Sequence, residues 1–176
     1  MASIQENITK YREEIPEEVT LVAVSKTKPN EDLLEAYKAG QRIFGENKIQ
    51  EMTDKHEALP KDIEWHMIGH VQSNKVKYMA SYVSLIHAVD KLKLLKEINK
   101  RALEHNRVIN CLLQVKIAEE DSKFGMDAEE VDNILASEAY QNMNNVKVVG
   151  LMGMSTLTED NSQIEKEFSF LKKKFD

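Results

Sequence analysis

Short apolar runs alternate with longer amphipathic segments along nearly the whole chain. The apolar runs are rich in β-branched and aromatic residues, which is typical of buried strands. They predict strands at about 19–25, 41–44, 63–69, 82–89, 108–117 and 145–154. The segments between the runs carry apolar residues at helical spacing and predict helices. An opening helix at about 3–14 is therefore followed by six strand–helix units.

The predicted helices carry capping signals at their starts. Asn30, Asp90 and Asp127 each stand directly before an amphipathic segment. Their side chains can accept hydrogen bonds from the free N–H groups of a first helical turn, so all three are predicted N-caps. The segment 72–80 is predicted to be a further helix.

Regular alternation of strands and helices predicts an α/β fold with a parallel sheet and helices outside it. The 176 residues contain no linker or low-complexity tract and fit one domain, 1–176. An open doubly wound sheet and a (β/α)8 barrel both satisfy this pattern. The periodicity alone does not separate them.

Charge and composition exclude some classes of function. The net charge of −6 disfavours a nucleic-acid or anionic-membrane binder, because such proteins need a basic surface. No apolar run approaches the ~20 residues that span a bilayer, and MASIQENITK lacks the apolar core of a signal peptide, so we expect a cytoplasmic protein. Cys111, the single cysteine, lies in an apolar stretch and is expected to be a buried, inert thiol.

Two candidate ligand-binding residues follow the first two predicted strands. Lys26 stands where LVAVSKTKP leaves its strand, and this edge of a parallel sheet is where chemistry occurs. Low-dielectric walls there favour a neutral amine, which can attack an aldehyde. A solvated lysine beyond the strand end is the simpler alternative. Asn47, in FGENKIQE, can bind a ligand at the same edge or cap the next helix, while Gly45 permits a close backbone approach or positive φ.

WHMIGHVQSNK is predicted to be a strand, a glycine turn and a helix start. His66 and His70 are four residues apart, but the predicted strand and Gly69 separate them, so a metal site is not expected. His66 can instead lie inside a barrel or be a satisfied core histidine. The remaining polar residues can form a rim around a ligand, namely His70, Gln72, Ser73, Asn74 and Lys75.

Two glycine-containing motifs follow the fifth and sixth predicted strands. DSKFGM spans 121–126, and GLMGM is followed by Ser155 and Thr156, whose hydroxyls can line a pocket. Met152 and Met154 are most simply core residues. The chain contains no GxGxxG, GxxxxGK[ST] or GxSxG sequence, so a dinucleotide site, a P-loop and a hydrolase elbow all lack support.

Five of these motifs, in this order and spacing, resemble the YggS/PROSC family of pyridoxal-phosphate homeostasis proteins. They are AVSKTKP, FGENKIQE, WHMIGHVQSNK, KFGM and GLMGM. The resemblance covers about 19–175. It implies a fold-type III, TIM-like barrel similar to the N-terminal domain of alanine racemase.

The resemblance also implies a cofactor and its site. Pyridoxal 5'-phosphate is expected as a Schiff base on Lys26, with Asn47, His66 and Met152 near it. No catalytic or metal-binding residue is implied, because the family has no established turnover. It binds, buffers or delivers the cofactor, and pyridoxal-phosphate-dependent client enzymes are expected partners. An amino-acid racemase and a fragment without ligand function are the alternatives.

The chain departs from the family at its C-terminal end. Relatives continue for about two more βα units with an SMGMS-like and an RIGT-like motif, whereas this sequence stops at Asp176. Those units supply most phosphate contacts in the family. We therefore expect an incomplete barrel with six strands, weak cofactor binding and self-association through open barrel edges.

Overall fold

One parallel sheet organises the chain. The structure is a computed structural model that describes residues 3–120 and 124–176. Within these residues every neighbouring pair of strands is parallel. The strands are β1 (Ala23–Val24), β2 (Ile43–Glu46), β3 (Glu64–Met67), β4 (Leu85–Val89), β5 (Ile109–Gln114) and β6 (Val146–Met152).

Helices connect and precede these strands. They are α1 (Ile4–Glu14), α2 (Asn30–Lys38), α3 (Ile49–Ala58), α4 (Leu92–Glu104), α5 (Ala128–Ala136), α6 (Glu138–Gln141) and α7 (Asn161–Phe175). A 3-10 helix, Ser73–Tyr78, replaces the α-helix predicted at 72–80. No helix of the described ranges is both long and apolar enough to cross a membrane.

The order of the strands separates the two architectures that the sequence left open. The strands lie side by side as β1-β2-β3-β4-β5-β6, in chain order. A doubly wound sheet reverses direction at a switch point, whereas a (β/α)8 barrel keeps chain order. The predicted barrel class is therefore confirmed. In the described residues the sheet is open, with β1 and β6 as its edges.

The predicted helix caps have mixed outcomes. Asp127 accepts from the N–H of Glu130, whose carboxylate accepts from the N–H of Asp127, so its predicted capping role is confirmed. The prediction for Asn30 is wrong, because it is already the first residue of α2. Asp90 does not cap α4 either. Its carboxylate lies 3.6 Å from Nδ1 of His70 instead.

Two predicted elements are shorter than expected. β1 covers two residues of the predicted 19–25, because it pairs only with β2 and the ladder starts at Ala23. The helix predicted at 127–140 divides into α5 and α6 at Ser137. The Ser137 hydroxyl oxygen accepts from the N–H of Tyr140 and so starts a new helix.

Register and alternation give the sheet two distinct faces. The outer face is covered by helices, and its Trp65, Ile86 and Leu113 are fully buried. His66 pairs with both Gly45 and Leu85, which puts these residues on the opposite face. We call this the inner face; by the same pairing it carries Val24, Leu112, Gln114, Gly150 and Met152.

Cys111 lies on the outer face and is fully buried. Burial raises the pKa of its thiol to about 12, because a thiolate there would lose its hydration. A protonated, inaccessible thiol does not react readily. The predicted burial of this thiol is confirmed, and its inertness stays a prediction.

The cap at Asp127 gives a direct test of the α5 boundary. Asp127→Ala removes the acceptor for the N–H of Glu130 and should lower the free energy of unfolding by about 1 kcal/mol in urea denaturation. Asp127→Asn keeps an acceptor oxygen and should lose clearly less. Equal losses in the two variants would contradict the capping role.

Candidate functional site

The inner face ends in a group of polar and titratable side chains. The four predicted site residues lie near the C-terminal ends of strands. Lys26 and Asn47 follow β1 and β2, whereas His66 and Met152 are among the last residues of β3 and β6. Because the strands are parallel, these ends share one edge of the sheet. Among the described residues, however, no hydrogen bond joins any two of these four.

Lys26 lies two residues beyond β1 and is exposed. Its neighbour Ser25 is buried, and the Ser25 hydroxyl donates to Oε1 of Glu46 over 2.6 Å. Glu46 is on the outer face, since it continues the alternation of Phe44 on β2. Lys26 itself lies in the turn that follows β1, which is closed by the N–H of Lys28 donating to the carbonyl oxygen of Ser25 over 3.1 Å.

A buried ion cluster lies beneath the Lys26 loop. Nζ of Lys55 donates to Oε1 of Glu46 over 2.6 Å and to Oε1 of Glu51 over 2.8 Å. Glu46 is fully buried and Lys55 is 5% exposed. The hydrogen bond from Lys55, followed by that from the N–H of Thr27, holds the pKa of Glu51 below its usual value. Glu51 therefore stays ionised at neutral pH.

Two histidines meet on the inner face. Nδ1 of His66 lies 3.0 Å from Nε2 of His87, so one ring must donate to the other. Burial, with a smaller contribution from His87, lowers the pKa of His66 to about 4. Burial also lowers the pKa of His87. The pair is therefore neutral at physiological pH, with one proton shared along the contact.

Asn47 is held by a close backbone approach from the next strand's loop. A Cβ on Gly69 would lie 2.5 Å from the carbonyl oxygen of Asn47, so only glycine fits there. Asn47 does not cap α3, because Lys48 is the N-cap residue and provides no side-chain cap. Gly45 has no positive φ, but a Cβ on it would lie 3.0 Å from Cδ1 of Ile68, so the expected close approach is present.

Met152 lies opposite Gln114 in the β5–β6 ladder and is half-buried. Nε2 of Gln114 donates to the carbonyl oxygen of Phe124 over 3.2 Å, so this buried amide ties the inner face to the loop after β5. Met152 is on the edge strand opposite to that of Lys26. A ligand that contacts both would have to cross the inner face.

Loops after three strands converge near the end of β4. The rings of His70 and Phe124 stack with their centroids 4.9 Å apart, and Asp90 lies beside His70. The predicted polar rim lines a cavity of about 300 Å³ through His70, Gln72 and Lys75, together with Asn47. In the motif DSKFGM, residues 121–123 lie outside the described residues.

Thr156 is engaged in the fold and is not free to line a pocket. Its N–H and hydroxyl donate to the two carboxylate oxygens of Glu167, each over 2.7 Å. Its hydroxyl oxygen also accepts from the N–H of Glu119. The predicted ligand role of this hydroxyl is therefore not supported.

Comparison with known proteins places this geometry in a family. The alanine racemase N-terminal domain family matches residues 1–174. This chain belongs to that family. It is 39% identical over 153 residues to the pyridoxal phosphate homeostasis protein of Aquifex aeolicus, covering 86% of this chain and 66% of the relative. It is 36% identical to the Pasteurella multocida protein of the same name, covering 96% of this chain and 74% of the relative.

Solved structures agree with this assignment. PipY of Synechococcus elongatus, solved with pyridoxal phosphate bound, is 31% identical, with a TM-score of 0.88 over 98% of this chain and 80% of PipY. Alanine racemase from E. faecalis is 20% identical, with a TM-score of 0.79 over 98% of this chain and 48% of the racemase. The second likeness shows the fold alone.

Several residues of this candidate site could not be predicted from the sequence. His87 looked like one polar residue in an apolar strand, and only the β3–β4 pairing brings it to His66. Lys55 looked like a surface lysine on an amphipathic helix. Its spacing of four residues from Glu51 was the one signal available in the sequence. The burial of Glu46 had no sequence signal.

Because Gly69 lies against the backbone of Asn47, replacing Gly69 should destabilise the fold more than replacing a glycine that lies against side chains. Gly69→Ala brings a Cβ against backbone, which cannot rotate away, and should lower the free energy of unfolding by about 2 kcal/mol. Gly153→Ala is the control, since its Cβ would meet the side-chain tips of Ile117 and Leu171. Urea denaturation should show the smaller loss for Gly153→Ala. The reverse order would contradict the backbone contact.

The histidine pair predicts a pH dependence of stability. The unfolded chain takes up a proton near pH 6.5, whereas folded His66 does so only near pH 4. The stability that neutral His66 contributes is therefore fully present above pH 6.5 and falls as the pH drops towards 4. As the pH falls from 7 to 5, the titration of His66 should lower the free energy of unfolding by about 2 kcal/mol.

The matched variant is His66→Gln/His87→Gln, which keeps a hydrogen bond without titrating. Urea denaturation at pH 7 and 5 should show a larger drop for the wild type than for this variant. Carboxylates titrate in both proteins and cancel in the comparison. Parallel drops would contradict the assignment of neutral histidines.

Proposed function

We propose that this chain binds pyridoxal 5'-phosphate covalently through Lys26 and serves in cofactor homeostasis. The observation that carries this proposal is the position of Lys26, exposed beyond β1 at the edge where the inner-face residues converge. PipY, a relative at 31% identity, has been solved with pyridoxal phosphate bound. Several further relatives bear the name pyridoxal phosphate homeostasis protein.

The side chains at this edge fit the aldehyde and the ring of the cofactor. Pyridoxal phosphate supplies an aldehyde carbon, which bonds to a primary amine with loss of water. Lys26 offers that amine, exposed in the turn after β1. Leu112 and Met152 provide apolar surface for a flat ring on the inner face. The neutral His66 can donate or accept without adding charge.

The phosphate group has weaker support. All four arginines are engaged elsewhere in the fold: Arg12 with Gly40, Arg42 with Asp62, Arg101 with Glu97 and Arg107 with Val83. Arginine is the side chain best suited to bidentate phosphate contacts. Weak binding by this chain stays a prediction, and the covalent bond at Lys26 should dominate the affinity.

The partners of the chain belong to the same proposal. Holding the cofactor through one reversible bond permits its release to client enzymes. The edges of the open sheet expose Val24 of β1 and Val149 of β6, which are 54% and 43% exposed. Exposed parallel edges favour pairing with another strand, so self-association is a further expectation. The likeness to racemases is at the level of fold and adds no support for racemisation.

Lys26→Arg tests the proposed function most simply. It keeps the positive charge but cannot bond to the aldehyde, so covalent uptake should fall to background. Lys28→Arg is the control, because Lys28 is also exposed and lies two residues further along the loop. The readout is borohydride reduction followed by peptide mass mapping. Labelling of the Lys26→Arg chain at the wild-type level would contradict the proposal.

A further inference from the structure

The FGENKIQE motif contributes two buried or half-buried acids that the proposed function has not used. Glu46 lies at the end of β2 and Glu51 in the first turn of α3. Both contact Lys55, one turn beyond Glu51 on the same helix. We call these three residues the α3 clamp.

The α3 clamp holds both peptide groups that flank Lys26. Nζ of Lys55 donates to the carbonyl oxygen of Ser25 over 2.7 Å, which is the peptide before Lys26. Oε1 of Glu51 accepts from the N–H of Thr27 over 2.6 Å, which is the peptide after it. The Cα of Lys26 is therefore fixed from both sides by side chains of one helix.

The backbone at this point needs such an anchor. Thr27 has φ of 62°, a left-handed conformation that a β-branched residue rarely adopts. Strained backbone persists only where its surroundings hold it, and it is common at functional sites. The charge-assisted bond from Thr27 to Glu51 supplies that restraint.

The clamp is also costly to maintain. Lys55 and Glu46 are buried, and Oε2 of Glu46 has no hydrogen-bond partner in the described structure. Replacing a buried ion pair by apolar residues of similar size is often neutral or stabilising in proteins. The α3 clamp is therefore better explained by the need to hold Lys26 in one geometry than by a gain in stability.

We propose that Glu46, Glu51 and Lys55 are positioning residues that set the backbone of Lys26 for attack on the cofactor aldehyde. This inference rests on the proposed function, since it concerns the same lysine. The clamp does not touch the cofactor in this account. It acts by limiting the directions in which the Lys26 side chain leaves the loop.

Glu51→Ala is the main test variant, because Glu51 is half-exposed and its loss should leave the chain folded. Stopped-flow absorbance at increasing pyridoxal phosphate concentration separates the half-saturation concentration from the maximal rate of covalent attachment. The maximal rate should fall about tenfold or more, the loss expected for one charge-assisted hydrogen bond. The half-saturation concentration should change little.

Three further variants make the test specific. Glu51→Gln keeps the acceptor oxygen and should recover most of the rate. Glu57→Ala, an exposed glutamate on the same helix, should match the wild type. Glu46→Gln/Lys55→Met removes the two fully buried charges together, leaves Glu51 bonded to the N–H of Thr27, and should lose rate because the carbonyl oxygen of Ser25 is released. A normal maximal rate in a folded Glu51→Ala or double variant would overturn the proposal.

Amide hydrogen exchange distinguishes failure of the clamp from failure of the proposed function. The N–H of Thr27 should exchange slowly in the wild type and at least tenfold faster in Glu51→Ala, with or without cofactor. Equal exchange in the two proteins would overturn the clamp whatever the cofactor does. A wild type with a protected Thr27 amide that takes up no pyridoxal phosphate would contradict the proposed function instead.

Discussion

The parallel, chain-order register of the six described strands is the constraint on which the rest of the structure depends. It gives every strand the same polarity, so side chains that are far apart in sequence meet at one edge. It also fixes which residues face the helices and which face inward. His66 reaches His87 because it pairs with Leu85, and His87 lies two residues further along β4.

The helix layer is joined to the sheet and to the Lys26 loop by charge as well as by apolar packing. The outer face buries residues such as Trp65 and Leu113 against the helices. At the end of β2 this apolar layer gives way to Glu46, which contacts Lys55 of α3. An apolar contact there would leave the Lys26 loop free to move. A hydrogen-bonded ion pair is directional, and here the pair of Glu46 and Lys55 contacts the loop that follows β1.

Much of the fold could be predicted from the sequence, because strands and helices leave local signals. β-branched runs marked all six strands, and the acid at Asp127 marked the start of α5. Strand order could not be predicted from periodicity, because it depends on contacts between distant segments, and the barrel was predicted from the family resemblance alone. Asp90 also shows this limit: its residue type favours a cap, but in the fold it lies beside His70.

The candidate site was predictable only in part. Lys26 and Asn47 follow strand ends, where position permits a ligand role, and the family resemblance assigned the cofactor to them and to His66 and Met152. Their partners were not visible. His87 and Lys55 have no distinctive sequence context, and their surroundings come entirely from the fold.

The central claim is that the Lys26 amine holds the cofactor aldehyde on the inner face of the sheet. The most direct test is a crystal structure of the chain, determined from crystals soaked with pyridoxal phosphate. We expect continuous electron density from Nζ of Lys26 to the cofactor, with its ring over the inner face. Density for the cofactor on the helix-covered side, or attached to a different lysine, would contradict it.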